Sequence, residues 1–301
     1  MKLVFIIGCP RSGTTYLLRL LAAHSSFGWI SNRLNYKPSD LSLAREIKGY
    51  KYPIIGKKKY LLSHNGKSGL PFPVEPWNFW NYYLKDFQWK SDFNSLPKNL
   101  DPNNLNFKEA NKIKDAIHEI CKLSKSSIFL SKYTDFPRMK YLSKIFPDAK
   151  FIHIVRDGRS VASSYKEKMD SEFATWQERK SWSKCWPKKW RDDFFNLHEQ
   201  PITLAAYQWK FFIDEITNES KLIESERFLE INYSSLCNNP QKSIDIMLNY
   251  IGIKLDNSLS YFLKNKPPIS MNSKWEKNLN NEEKSLIEKI ICEDRYLKFF
   301  D

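Results

Sequence analysis

Along this chain short unbroken apolar runs alternate with longer stretches of helical period, a pattern that predicts strands separated by helices. "KLVFIIG" (2–8) is continuously apolar and ends in turn chemistry, so it reads as a buried strand. Leu17, Leu18, Leu20 and Leu21 then recur at helical spacing over 13–24. "SSIFLS" (126–131), "KFIHIV" (150–155) and "RFLEIN" (227–232) predict further strands. Pro137 opens a helix that carries Met139, Leu142 and Ile145, and "RDGRSVASSYKEKM" (156–169) reads as a turn and a helix. Residues 107–124, 203–225, 240–251 and 281–293 are helical in pattern. The stretches 31–74 and 171–200 follow no regular period; both are aromatic and basic, as insertions that build binding surface are. The expectation is a single α/β domain over 1–301, with a central parallel β-sheet flanked by helices and long aromatic loop insertions.

Composition narrows the class. Of 301 residues 42% are hydrophobic and 15% aromatic, enough for a sizeable core. No run approaches the roughly 18 apolar residues needed to cross a bilayer, and "MKLVFIIG" is too short for a signal peptide. Cys9, Cys121, Cys185, Cys237 and Cys292 show no metal or redox spacing, which points to a reducing, cytoplasmic setting. The net charge of +14 favours an anionic partner. Lysines are spread along the chain rather than massed in a tail, against a dedicated nucleic-acid arm.

Candidate chemistry concentrates at two strand ends, where open parallel sheets bind ligands. In "GCPRSGTT" (8–15), Gly8, four residues, Gly13 and Thr14-Thr15 keep the spacing of a phosphate-binding loop, but Thr14 stands in place of its lysine. Backbone N–H groups, a helix N-terminus, the hydroxyls of Ser12, Thr14 and Thr15 and the planar cation of Arg11 together suit an anion. In "IVRDGRSVASS" (154–164), Arg156 closes the strand, and Ser160 and Ser164 lie one helical turn apart. Arg156 with Ser164 suits a second phosphate. Two anion grips imply a ligand with phosphates at two separate positions, a shape ATP lacks.

"PRSGTT", followed by "FPDAKFIHIVRDGRSVASS", resembles the PAPS-dependent sulfotransferases (PAPS is 3′-phosphoadenosine 5′-phosphosulfate). The resemblance implies a phosphate-loop-like nucleotide-binding core. Arg11, Ser12, Gly13, Thr14 and Thr15 would cradle the 5′-phosphosulfate, and Arg156 and Ser164 would grip the 3′-phosphate. Tyr16 falls where cytosolic relatives carry a tryptophan near the adenine. "INYSSLCNNPQKSIDIMLNYIGI" is similar to a further family segment, and "SKW" (273–275) resembles a basic segment that closes over the nucleotide, implicating Lys274. The activity implied is in-line transfer of a sulfuryl group to a hydroxyl acceptor, with a carbohydrate or glycolipid as candidates and no nucleic-acid partner. No metal is expected, since the sulfuryl group carries less charge than a phosphoryl group and Arg11 is placed to stabilise charge on the bridging oxygen.

Lys132 lies 24 residues before Arg156, the separation at which cytosolic relatives carry an assisting lysine. Where those relatives place a histidine, this chain has Thr134, and "ISNRLNY" lacks the glutamate other relatives carry. Glu75, in "PVEPWNFW", is the preferred general base: it sits between prolines at a helix start, with aromatic neighbours expected to raise its pKa. The competing reading of Glu75 is a carboxylate favoured by a helix dipole. Asp135 and His64 follow as candidates. Trp182, Trp186 and Trp190 recur every four residues around Pro187, which interrupts a helix, and read as an aromatic lid or acceptor wall. Two other functions fit parts of the pattern. A kinase with a degenerate loop would use ATP and Mg²⁺, and a basic nucleic-acid binder would stack bases on its aromatics.

Overall fold

The computed structural model describes residues 2–47, 71–85, 87, 101–134, 136–169 and 180–300. The apolar runs become the strands β1 (Lys2–Ile7), β3 (Ile128–Tyr133), β4 (Lys150–Val155) and β5 (Phe228–Asn232), joined by a short β2 (Phe27–Trp29). All pairings are parallel, and the sheet order is β2-β3-β1-β4-β5. A central parallel strand is covered on both faces, which is why β1 carries no polar alternation after its first residue. β1 lies between β3 and β4, so the chain order reverses beside it, and the crevice beyond the carboxyl ends of β1 and β4 is where such sheets hold ligands. β2, "FGW", is too short for periodicity to reveal.

Helices follow the periodic stretches: α1 (Thr14–Ala22), α2 (Asn32–Tyr36), α3 (Trp77–Tyr83), α4 (Phe107–Leu123) and α5 (Met139–Ile145). Then come α6 (Gly158–Met169), α7 (Lys188–Asn196), α8 (Pro201–Ser220), α9 (Tyr233–Asn238) and α10 (Pro240–Ile251). α11 (Asn257–Asn265), α12 (Lys274–Asn278) and α13 (Asn281–Ile291) complete the set used below. One apolar cluster fills the space around the sheet with α1, α4 and α10. A second joins α6, α8 and α13. Where these helices meet, the α8 residue Trp209 donates its indole N–H to the carbonyl of Arg156 at 3.0 Å. A Cβ at Gly158 would lie 2.8 Å from both Trp209 and Ile291, so only glycine lets α6 start there.

The two aperiodic stretches are partly regular. Residues 31–47 hold α2 and a 3₁₀ turn (Leu41–Glu46), and 181–196 hold a 3₁₀ turn (Ser181–Cys185) and then α7. Pro187 does separate the latter two. The tryptophan stripe is not a lid, however. Trp186 is 3% exposed, and its ring packs on Phe194 and Tyr207 at 5.6 and 5.4 Å. Trp182 packs on Phe212, and Trp190 on Tyr207. The rings close the second core over α8, because burying them there removes more apolar surface from water than a solvent-facing flap does. His64 and Asp135 lie outside the described residues. Among the described residues no helix is long and apolar enough to cross a membrane.

Candidate functional site

The loop between β1 and α1 is wound tightly. Arg11 (φ 74°) and Gly13 (φ 93°) both take the left-handed conformation. For Arg11 that carries a cost of about 1–2 kcal/mol, the kind of local strain that collects at ligand sites. A Cβ at Gly13 would sit 2.8 Å from the Tyr233 ring. Ser12 is 1% exposed and its hydroxyl has no hydrogen-bond partner. A buried hydroxyl left unsatisfied beside the first turn of a helix, whose N–H groups also lack intrahelical acceptors, fits a bound anion.

The carboxyl end of β4 faces this loop. Arg11 donates from Nε to Ser164 Oγ at 3.0 Å, and Arg156 donates from Nη1 to the Arg11 carbonyl at 3.0 Å. A cleft of about 430 Å³ opens between them, lined by Arg11, Gly13, Thr14, Thr15, Tyr16, Arg156 and Ser164. Its remaining wall is Tyr233 and a strap, residues 266–272, which meets the cleft between Lys266 and Met271. Tyr16 donates its hydroxyl to the Lys266 carbonyl at 2.8 Å, and Tyr233 donates to the Ile269 carbonyl at 3.0 Å. Burial raises Tyr16 above the ordinary tyrosine pKa and pushes Tyr233 up to about 12, so both phenols stay protonated as donors. The Arg156 guanidinium lies over the Tyr233 ring at 4.6 Å. Burial lowers the Arg156 pKa, with Tyr233 and Asp157 opposing; an arginine remains charged through such a shift.

Beside this cleft stands a second constellation. Lys132 pairs in register with Ile6 of β1 and is 5% exposed. Its ammonium donates to Thr15 Oγ1 at 3.0 Å and lies 3.1 Å from Glu75 Oε2. Glu75 Oε1 accepts the Thr134 N–H at 2.5 Å, and the Thr134 hydroxyl lies 2.8 and 2.9 Å from the two carboxylate oxygens. The setting of Glu75 is thus polar on the side of β3. Its carboxylate meets polar donors rather than an apolar pocket, and Pro76, not Glu75, stands at the start of α3.

Of the predicted site residues, Arg11, Ser12, Gly13, Thr14, Thr15, Tyr16, Arg156 and Ser164 are brought together at the loop and cleft, with Lys132 and Glu75 adjoining at Thr15. Lys274 is not brought in. It is exposed at the first position of α12 and does not line the cleft, because the strap reaches the cleft before it. Sequence reasoning missed Thr134 as the partner of Glu75 and the strap as a wall. The strap, "KPPISMN", has no periodicity to flag it. Among the described residues no group of three or more His, Cys, Asp or Glu side chains stands together as metal ligands.

Residues 4–56 and 83–257 match the model of a family described as the sulfotransferase family. Among solved structures, the chain is similar to sulfotransferase STF9 from Mycobacterium avium, at 16% identity and TM-score 0.58, covering 99% of this chain and 76% of that one. It is also similar to sulfotransferase STF1 from Mycobacterium tuberculosis H37Rv, at 13% identity and TM-score 0.50, covering 97% and 77% of the two chains. A third similarity is to the sulfotransferase domain of the Synechococcus PCC 7002 olefin synthase, at 18% identity and TM-score 0.48, covering 96% and 94%. No curated protein sequence matches the chain. At these identities the first two likenesses are of fold alone.

Proposed function

Because this chain belongs to the sulfotransferase family, we propose that it takes PAPS as co-substrate and transfers the sulfuryl group to an acceptor hydroxyl. One observation carries the donor assignment: the Arg11–Ser164 and Arg156–Arg11 contacts join two anion grips across a single cleft. The donor supplies an activated sulfuryl group that the acceptor oxygen takes by direct in-line displacement. The β1–α1 loop would hold the 5′-phosphosulfate through Ser12, Gly13, Thr14 and Thr15, with Arg11 stabilising negative charge as it develops. Arg156 and Ser164 would hold the 3′-phosphate, and Tyr16 and Tyr233 the nucleoside between. Lys132, on Thr15, is placed to assist the leaving group. Glu75 would accept the acceptor proton, kept in place by Thr134.

A cavity of about 500 Å³ beside α2, lined by Asn32, Arg33, Tyr36, Lys37 and Leu43, supports a hydroxyl-rich acceptor such as a carbohydrate or glycolipid. The segment leading to Glu75 pairs with the one leading to α2, since Val74 N–H donates to the Ile30 carbonyl at 3.2 Å. An exposed tyrosine ring with amide and cationic neighbours suits a sugar face and its hydroxyls.

The test is thermal stabilisation by adenosine 3′,5′-bisphosphate against ATP with Mg²⁺. The bisphosphate should stabilise more. Arg156→Lys, which keeps the charge but loses the fork, should weaken bisphosphate binding about tenfold, the loss of one charge-assisted bond. Greater stabilisation by ATP with Mg²⁺ would return the protein to the kinase reading, and stabilisation only by oligonucleotides to the nucleic-acid one.

A further inference from the structure

The strap is tied down at a buried amide that wall-building alone does not require. Asn272 is 6% exposed. Its Oδ1 accepts from Arg156 Nε at 2.7 Å, its Nδ2 donates to Ser234 Oγ at 2.7 Å, and its carbonyl accepts from Ser160 Oγ at 2.6 Å. Next to it, the Met271 carbonyl accepts from Arg156 Nη2 at 2.8 Å, while Nη1 donates to the Arg11 carbonyl. A guanidinium has five N–H groups in one rigid plane. These contacts use three, one on each nitrogen, and leave one N–H on each terminal nitrogen for an anion.

We infer that Asn272 is a positioning residue for 3′-phosphate recognition: it sets the plane of the Arg156 guanidinium, so preference for a 3′-phosphorylated nucleotide depends on a strap residue 116 positions away. This rests on the reading of the cleft as a PAPS site. The choice of an amide has a physical reason. A carboxylate would accept from Nε equally well, but it would neutralise the guanidinium and set a negative charge near the anion. An amide accepts without charge, and its N–H₂ donation to Ser234 fixes which way it faces. Ser160, on the first turn of α6, holds the Asn272 backbone, so side chain and main chain are fixed independently.

The experiment is calorimetric titration of the full chain with adenosine 3′,5′-bisphosphate and, separately, adenosine 5′-monophosphate. The wild type should prefer the bisphosphate. Asn272→Leu, which keeps the size but removes the acceptor for Nε, should lose about tenfold or more of that preference, as expected for one charge-assisted bond, while monophosphate affinity stays within about twofold. Ser234→Ala, which removes the partner of the amide Nδ2, should lose about threefold of the preference and carries the comparison if Asn272→Leu does not fold. The inference is overturned if both variants keep the wild-type preference, or if affinity for the two nucleotides falls in equal proportion, as a merely structural role would give. A wild type that does not discriminate between the nucleotides overturns the donor reading itself, and the inference with it.

Discussion

Glu75 reaches Lys132 and both donors of Thr134, so one carboxylate joins the end of β3 to the start of α1 by way of Lys132 and Thr15. A residue holding that place is defined by its partners more than by its neighbours in sequence. Glu75→Gln should reduce turnover by about 10²–10⁴, the usual worth of a positioned general base, with affinity for adenosine 3′,5′-bisphosphate unchanged. It should also lower stability by about 1–3 kcal/mol, because the Lys132 ammonium, 5% exposed, loses its counter-charge. Adding Lys132→Met should recover much of that stability but none of the turnover, as denaturant midpoints and initial rates would show. Retained turnover in Glu75→Gln would clear Glu75 of the base role. The candidacy of Glu75 was legible from its setting among prolines and aromatics; its true environment was not, since Thr134 is 59 positions away.

Among the elements, the strap depends on the helix before it. α11 ends at Asn265, next to the first strap residue, and its start is held by Asp256. One Asp256 oxygen accepts the Leu259 N–H at 2.8 Å and the other the Ser25 N–H at 2.7 Å, with His24 at 3.6 Å. Burial alone would raise the Asp256 pKa, but these N–H bonds outweigh it and the pKa is lowered. A carboxylate lowered in the folded state stabilises fully above its unfolded pKa, near pH 4, and loses that contribution as pH falls through the folded value. Asp256→Ala should therefore cost about 1–2 kcal/mol at pH 7. The gap from wild type should narrow below about pH 4, read from urea midpoints at both pH values. The larger elements were legible: the 240–251 helix matches in both bounds, and the 107–124, 203–225 and 281–293 helices differ only at their ends. β2 was not, since three residues are too few for a period to stand out from the background.

For the molecule as a whole, the two apolar clusters divide the labour. The first supports the sheet, and the second, built on α6, α8 and α13, supports the carbonyl side of Arg156 through Trp209. The tryptophan stripe belongs to this second core. Trp186→Ala should cost about 3–5 kcal/mol, as removal of a buried tryptophan does, with bisphosphate affinity for the folded fraction unchanged. A variant of wild-type stability would show instead that the ring is not part of the core. The stripe's spacing was plain in the sequence; which side of it faced solvent was not, because Pro187 breaks the helical frame that would have told.

By itself the sequence determined the alternation of strands and helices and the residue make-up of the two strand-end loops that face the cleft. Those follow from local physics: side-chain period, the φ that glycine tolerates, and the residue types an anion needs. Only the tertiary structure decided which groups meet, as with Arg156 and Asn272 across 116 positions or Lys132 and Thr15 across 117. Parallel strands are joined by long crossovers, so their alignment is set by how the intervening helices pack, and no local spacing records it.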